Sequence, residues 1–235
     1  EIYLKKSNHI SLLELKTKIL INIILNKKNY NFEKIFYNIL ESQLDSIAMH
    51  KSYNLIEQAK FINDINEIIN IFLRFKIKVP DTFLLTKLKM VSVLSQYFHK
   101  DGSIALFNGV NNTYLKEILI LLKKESIVKK IKYPDEENGL FFYEDANKKI
   151  FLDAVQPSDS FLSKKLSAST LSIEFSANKE KIITNCGALE RSGGNASYLR
   201  YTAAHSALTL KNTNISEIRE NQPHLKFTQL VDFKA

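Results

Sequence analysis

Up to about residue 125, apolar residues recur at steps of three and four. Leu12, Leu15, Ile19 and Ile23 share one helical face, with Leu20 and Ile24 beside them. Phe32, Ile35, Phe36, Ile39, Leu40 and Leu44 repeat the pattern. Phe61, Ile65, Ile68, Phe72 and Phe75 predict a third helix, stopped by Val79-Pro80. Asp81 or Thr82 is the natural N-cap of a fourth, because its side-chain oxygen can accept from a free backbone N–H. Leu84, Leu88, Val91 and Phe98 carry that helix, and Asp101-Gly102 breaks it. Leu115, Ile118, Leu119 and Leu122 predict a shorter fifth. Short connections make such helices pack as antiparallel hairpins.

Beyond residue 130 the period changes to two, or the runs become fully apolar. Leu140 to Tyr143 and Ile150 to Leu152 are bracketed by Asn138-Gly139 and by Glu144 to Asn147, which reads as a β-hairpin. Leu171, Ile173 and Phe175 alternate with Ser172, Glu174 and Ser176. Ile182-Ile183 follows a polar turn at Asn178-Lys179. Tyr198 to Tyr201 and Leu208 to Leu210 read as further short strands. Closely spaced short strands predict antiparallel sheets stacked as a sandwich.

Composition narrows the function classes. The chain has 235 residues, 45% hydrophobic and 25% charged, with 6 Gly and 4 Pro, a globular balance that excludes disordered and collagen-like chains. A single Cys excludes an internal disulfide framework. No apolar run reaches the roughly 18 residues of a membrane span. The net charge of +8 is spread in ones and twos among acids and apolar residues. A clustered basic face with interleaved aromatics is missing, so no nucleic-acid partner is expected. Such a surface suits an anionic polysaccharide.

Five histidines, at 9, 50, 99, 205 and 224, are the candidates for acid–base chemistry. None stands at a metal-binding spacing from another. Cys186 has no nearby His or Lys in sequence to lower its pKa and reads as a packed or inert thiol. Gly193-Gly194 lacks the strand–loop–helix context of a phosphate loop. Ser167, Ser169 and Ser172 read as strand serines, not a nucleophile elbow.

The order of segments resembles the heparinase II/III-like family. Ser7-Asn8-His9, Gln43-Leu44-Asp45 and Ala48-Met49-His50 are similar to its α/α-toroid, and Asp101 to Gly109 to the end of that toroid. Ser169 to Glu174, then Ile182 to Gly187, then Arg200 to Leu208 resemble the start of its β-sandwich. The last run, Arg200-Tyr201-Thr202-Ala203-Ala204-His205-Ser206-Ala207-Leu208, is the most specific, close to the family's R-x-T-A-A-H-[NS]-T-L. The resemblance implies an α+β multidomain architecture. An N-terminal α/α-toroid portion is expected over residues 1–127 and an antiparallel β-sandwich portion over 128–235, both as fragments of a longer chain.

The resemblance further implies a polysaccharide lyase that cleaves uronic-acid-containing polymers by β-elimination. A base removes the proton next to the uronate carboxylate, an acid protonates the leaving oxygen, and the carboxylate must be neutralised. The family's Asn-His pair matches Asn8 and His9. Its toroid Tyr falls at Glu57 or Gln58, so Tyr53 stands in only by a shift of one helical turn. His50 matches a family His and, with His205 and Arg200, is expected to contact substrate. The family's sandwich His falls at Lys165, a candidate acid or base. Its zinc ligands, a His, an Asp and a second His, fall at Ser167, Asn185 and His205. Neutral oxygens do not replace a carboxylate and an imidazole, so no cofactor or metal is expected.

Two functions follow. One is a lyase using Asn8, His9, Lys165 and Tyr53. The other is a non-catalytic relative that binds polysaccharide or serves in the cell envelope. The resemblance implies a periplasmic location.

Overall fold

A computed structural model describes residues 11–26, 31–124, 139–155, 166–188, 196–209, 211 and 213–218. Asn8, His9, Lys165, Gly193-Gly194, Leu210 and His224 lie outside the described residues.

The five helices form where the 3.6-residue pattern places them. They are α1 (Leu12–Ile24), α2 (Phe32–Gln43), α3 (Leu55–Arg74), α4 (Asp81–Gln96) and α5 (Leu115–Lys124). Local caps set their starts. Ser11 and Glu14 form a reciprocal capping box on α1, and Asn31 caps α2. The third helix begins six residues before the expected Phe61, because the Asn54 side chain accepts from the N–H groups of Ile56 and Glu57. At α4 the expectation fails. Pro80 occupies the N-cap with no side-chain hydrogen bond, and Asp81 is already helical. Proline's fixed φ suits helix entry and brings the start forward by a residue. The helical core is sealed by Phe36 stacked on Phe83 at 3.9 Å, with Phe72 edge-on to Phe83 at 5.7 Å.

After α5 come β1 (Leu140–Glu144), β2 (Lys148–Asp153), β3 (Ser172–Ala177) and β4 (Glu180–Ile183), paired in that order as one antiparallel sheet. Asn178 and Lys179, both at positive φ, make the tight turn between β3 and β4. The two faces of the sheet differ in chemistry. Lys149, Phe151 and Asp153 on β2 and Ser172, Glu174 and Ser176 on β3 are buried. The opposite face carries the cross-strand pairs Ile150–Phe175 and Leu152–Ile173, none of them fully buried. That outer face is apolar, as the inner face of a sandwich layer must be.

The strand expected at Tyr198 to Tyr201 does not form. Residues Ala196–Arg200 and Thr202–Ala204 are short 3₁₀ turns. Their N–H groups close locally, Tyr201 to the Tyr198 carbonyl and Ala204 to the Tyr201 carbonyl, which leaves nothing for a strand ladder. Leu208 is exposed and in no strand.

Candidate functional site

The polar face of the sheet meets the end of α4 and the loop after it. Tyr97 donates its hydroxyl to the Leu140 carbonyl at 3.0 Å, and Phe151 packs against Tyr97, His99, Phe107 and Phe142. His99 Nε2 lies 2.7 Å from Glu174 Oε2, and its Nδ1 lies 2.9 Å from Ser176 Oγ. The same carboxylate accepts from the N–H groups of Leu106 and Asn185 and from the Thr184 hydroxyl. Ser–His–Glu in a line has the look of a nucleophilic site. Both the His99 and Glu174 side chains are shut off from solvent, however, and no substrate reaches them. This group joins the helices to the sheet.

A second polar chain crosses the same seam. The hydroxyl and the N–H of Ser52 both face His50 Nδ1, which assigns the ring proton to Nε2. Asn54, the α3 cap, donates its amide to the Asn108 carbonyl at 2.7 Å. Asp153 accepts from the Ser169 hydroxyl at 2.8 Å and the Val155 N–H at 3.1 Å. The Asn108 side-chain amide sits beside the same carboxyl and favours its ionised form, although its Nδ2 falls short of a well-formed hydrogen bond. Burial outweighs these contacts and pushes the Asp153 pKa up to about 7. Burial, then Asp45 and Asp153, push the Tyr53 phenol up to about 12. Tyr53 therefore keeps its proton at neutral pH and can give one away, but cannot act as a base there. Tyr53, Asn108 and Leu171 all hold positive φ; Asn108 and Leu171 adjoin Asp153, Leu171 by donating its N–H to the Asp153 carbonyl, and the Asp153 charge is felt at Tyr53. Strained backbone gathered at one buried acid is a feature of functional sites.

His205 and Asn185 lie further along the sheet. The Asn185 oxygen accepts from the Ser206 N–H at 2.9 Å, which turns its Nδ2, an N–H donor, inward and without a partner among the described residues. His205 is buried, and neither ring nitrogen makes a well-formed hydrogen bond among those residues. Burial lowers its pKa, partly opposed by the nearby Leu199 carbonyl and by Glu174. The zinc that the resemblance implies does not fit this set. An amide presenting its N–H end, a hydroxyl at Ser167 and one imidazole supply neither the charge nor the donors that zinc requires.

The sequence-predicted residues thus separate. His50 lies on the chain that runs through Ser52 and Asn54 to Asn108, and Tyr53 feels the charge of Asp153, the partner of Ser169. His205 sits beside Asn185. Arg200 is partly buried, donating Nε and Nη2 to the Leu166 carbonyl at 3.1 and 2.9 Å. Gln58, one of the two residues at the family's Tyr position, is fully buried, with its amide bonded to the His50 N–H and to the Ala48 and Met90 carbonyls. Cys186 is exposed rather than packed. Sequence reasoning passed over Asp153. Its signal was an acid closing an apolar run, Ile150-Phe151-Leu152-Asp153.

The elements and the seam define an α+β protein in which helices abut the polar face of an antiparallel sheet. The chain resembles the heparinase II/III-like family, and residues 136–229 match the family model described as Heparinase II/III-like, C-terminal. Among solved structures, the heparan sulfate lyase HepC from Pedobacter heparinus is similar over 93% of this chain and 39% of its own, at 15% identity and a TM-score of 0.60. A heparinase III is similar over 88% and 40%, at 14% identity and a TM-score of 0.60. A further heparinase III gene product reaches a TM-score of 0.68 at 14% identity, over 93% and 39%. The chain therefore spans about two fifths of these proteins, and the likeness is one of fold. No curated protein matches the sequence.

Proposed function

We propose that the chain is part of a polysaccharide lyase that opens uronic-acid-containing polymers by β-elimination. The observation that carries this reading is the buried Asp153–Ser169 pair of the sheet part, whose charge is felt at the Tyr53 phenol of the helical part. A phenol that stays protonated at neutral pH suits the step in which the leaving glycosidic oxygen takes up a proton. Asn8 and His9 are proposed to neutralise the uronate carboxylate, Lys165 to share the acid–base work, and His50, Arg200 and His205 to border the substrate. Residues 1–127 and 128–235 are the proposed helical and sandwich portions, and the periplasm the proposed compartment.

One observation favours a second reading, a non-catalytic polysaccharide-binding relative. Gln58 spends its amide on the fold where the resemblance leads to a catalytic Tyr. Absorbance at the unsaturated-uronate band separates the two. The full-length protein is incubated with heparan sulfate and other uronic-acid polymers, beside His9→Ala and Tyr53→Phe variants. Product that is lost in both variants supports the lyase. Binding without product from any polymer supports the second reading.

A further inference from the structure

The residues standing at the family's zinc position are not merely a depleted metal site. Four hydrogen bonds fix their surroundings. Cys186 N–H donates to the Ala204 carbonyl, Ser206 N–H to Asn185 Oδ1, the Ser206 hydroxyl to the Thr184 carbonyl, and Ile173 N–H to the Ser206 carbonyl. Residues 184–186 and 204–206 therefore run side by side, with Asn185 and His205 as neighbours. Asn185 is 2% exposed and His205 9% exposed. Asn185 has its oxygen committed, so its free end is a donor. Burial keeps His205 neutral, with one ring nitrogen a donor and the other an acceptor. A sealed donor and a sealed acceptor, each without a partner among the described residues, are complementary. Ser172, on the same buried face of β3 as Glu174, leaves its hydroxyl unpartnered as well. Buried polar groups left dry are costly, and an ordered water with two or more such partners removes that cost.

We infer that Asn185 and His205 form a neutral polar contact bridged by an ordered water, so that this fold closes without a metal. The resemblance puts zinc ligands at 167, 185 and 205, so Ser167→His with Asn185→Asp is expected to restore that donor set and bind zinc. The reason for the second half is charge. Asp at 185 alone would place a carboxylate beside the buried Glu174, whose Oε1 already accepts from the Asn185 N–H, with no cation to balance it. A second imidazole at 167, together with His205, completes a His, Asp, His set. The choice of positions rests on the family reading, but the readouts are independent of any lyase activity.

The test uses full-length protein purified without added metal, with zinc measured by atomic emission and thermal unfolding followed with EDTA or zinc chloride. Wild type is expected to carry far less than one zinc per chain and to melt at the same temperature in all three conditions. Asn185→Asp is expected to lower the midpoint by roughly 10 °C. The double variant is expected to bind close to one zinc per chain and to regain the loss when zinc is added. Wild type that copurifies with one zinc per chain, and loses stability in EDTA, overturns the inference. So does a folded double variant that takes up no zinc, or an Asn185→Asp protein that melts like wild type. If the double variant does not fold, the wild-type metal content and its response to EDTA still decide.

Discussion

His99 Nε2 and Glu174 Oε2 meet at 2.7 Å with both side chains closed to solvent, one from the loop after α4 and the other from the middle of β3. Seventy-five residues of chain separate them, so the contact ties the two parts of the protein directly. Removing His99 takes one of four partners from the buried Glu174 carboxylate and takes the His99 contact from the Ser176 hydroxyl. His99→Ala is expected to lower stability by about 3–5 kcal/mol, read as a fall in the urea midpoint. Adding Glu174→Leu is not expected to restore it, because the N–H groups of Leu106 and Asn185 then lose their acceptor. Recovery in the double variant would show that the carboxylate serves His99 alone.

Asp153 makes stability depend on pH. Its folded pKa of about 7 lies above the ordinary 3.8. Between those values the folded state keeps a proton that the unfolded chain has released. Each unit of rising pH in that window therefore costs the folded protein up to about 1.4 kcal/mol from this group, and the cost is constant above it. Asp153→Asn removes the effect. Its stability relative to wild type is expected to rise from pH 4 to pH 7 and then level off. Denaturant curves that stay parallel over that window would show that Asp153 ionises as it does in an unfolded chain.

Tyr53→Phe keeps the ring packed against the core and removes only the hydroxyl. Under the proposed chemistry it is expected to cut eliminase turnover by about 10²–10⁴-fold with little change in melting temperature. Unchanged turnover would remove Tyr53 from the mechanism.

Lys149 is buried with its ammonium 3.2 Å from Glu144 Oε2 and 5.4 and 5.3 Å from the ring centres of Phe142 and Phe151. Glu144→Gln is expected to cost about 1–3 kcal/mol by taking the carboxylate from beside the buried ammonium and from Lys100 Nζ, 2.8 Å away. Lys149→Met, which fills the same slot without charge, is expected to cost less than half of that. The reverse order in chemical denaturation would show that the aromatic rings, not the carboxylate, hold the ammonium.

Gly187 has φ near +70°, and a Cβ there would stand 2.8 Å from the Val110 carbonyl oxygen. That carbonyl also accepts from the Ala188 N–H, another tie across the seam. Gly187→Ala is expected to destabilise by about 1–3 kcal/mol, whereas Gly102→Ala, with open space around it, bears only the backbone cost. Equal melting temperatures for the two variants would count against the close approach.

The helices were legible because each is announced locally. A 3.6-residue apolar stripe is followed or preceded by an Asn, Ser or Pro that stops or caps it; the start of α3 and the cap of α4 moved, and α4 ends at Gln96, which leaves Phe98 outside the helix in a bridge with Ile104. The hairpin and the turn at Asn178-Lys179 were legible for the same reason. The resemblance carried by Arg200 to Leu208 was legible as a motif, but not its backbone, which closes into 3₁₀ turns rather than a strand. What tertiary structure alone decided is which way the sheet faces. Alternation in Leu171 to Ser176 has no direction by itself, since period two fits either side. The fold turns Ser172, Glu174 and Ser176 toward the helices, because His99, Leu106 and Asn185 supply the partners that make a buried carboxylate tolerable. Asp153 follows the same logic. Its chemistry comes from burial and from Ser169 and Asn108, brought from 16 and 45 residues away, and only the closed seam makes them neighbours.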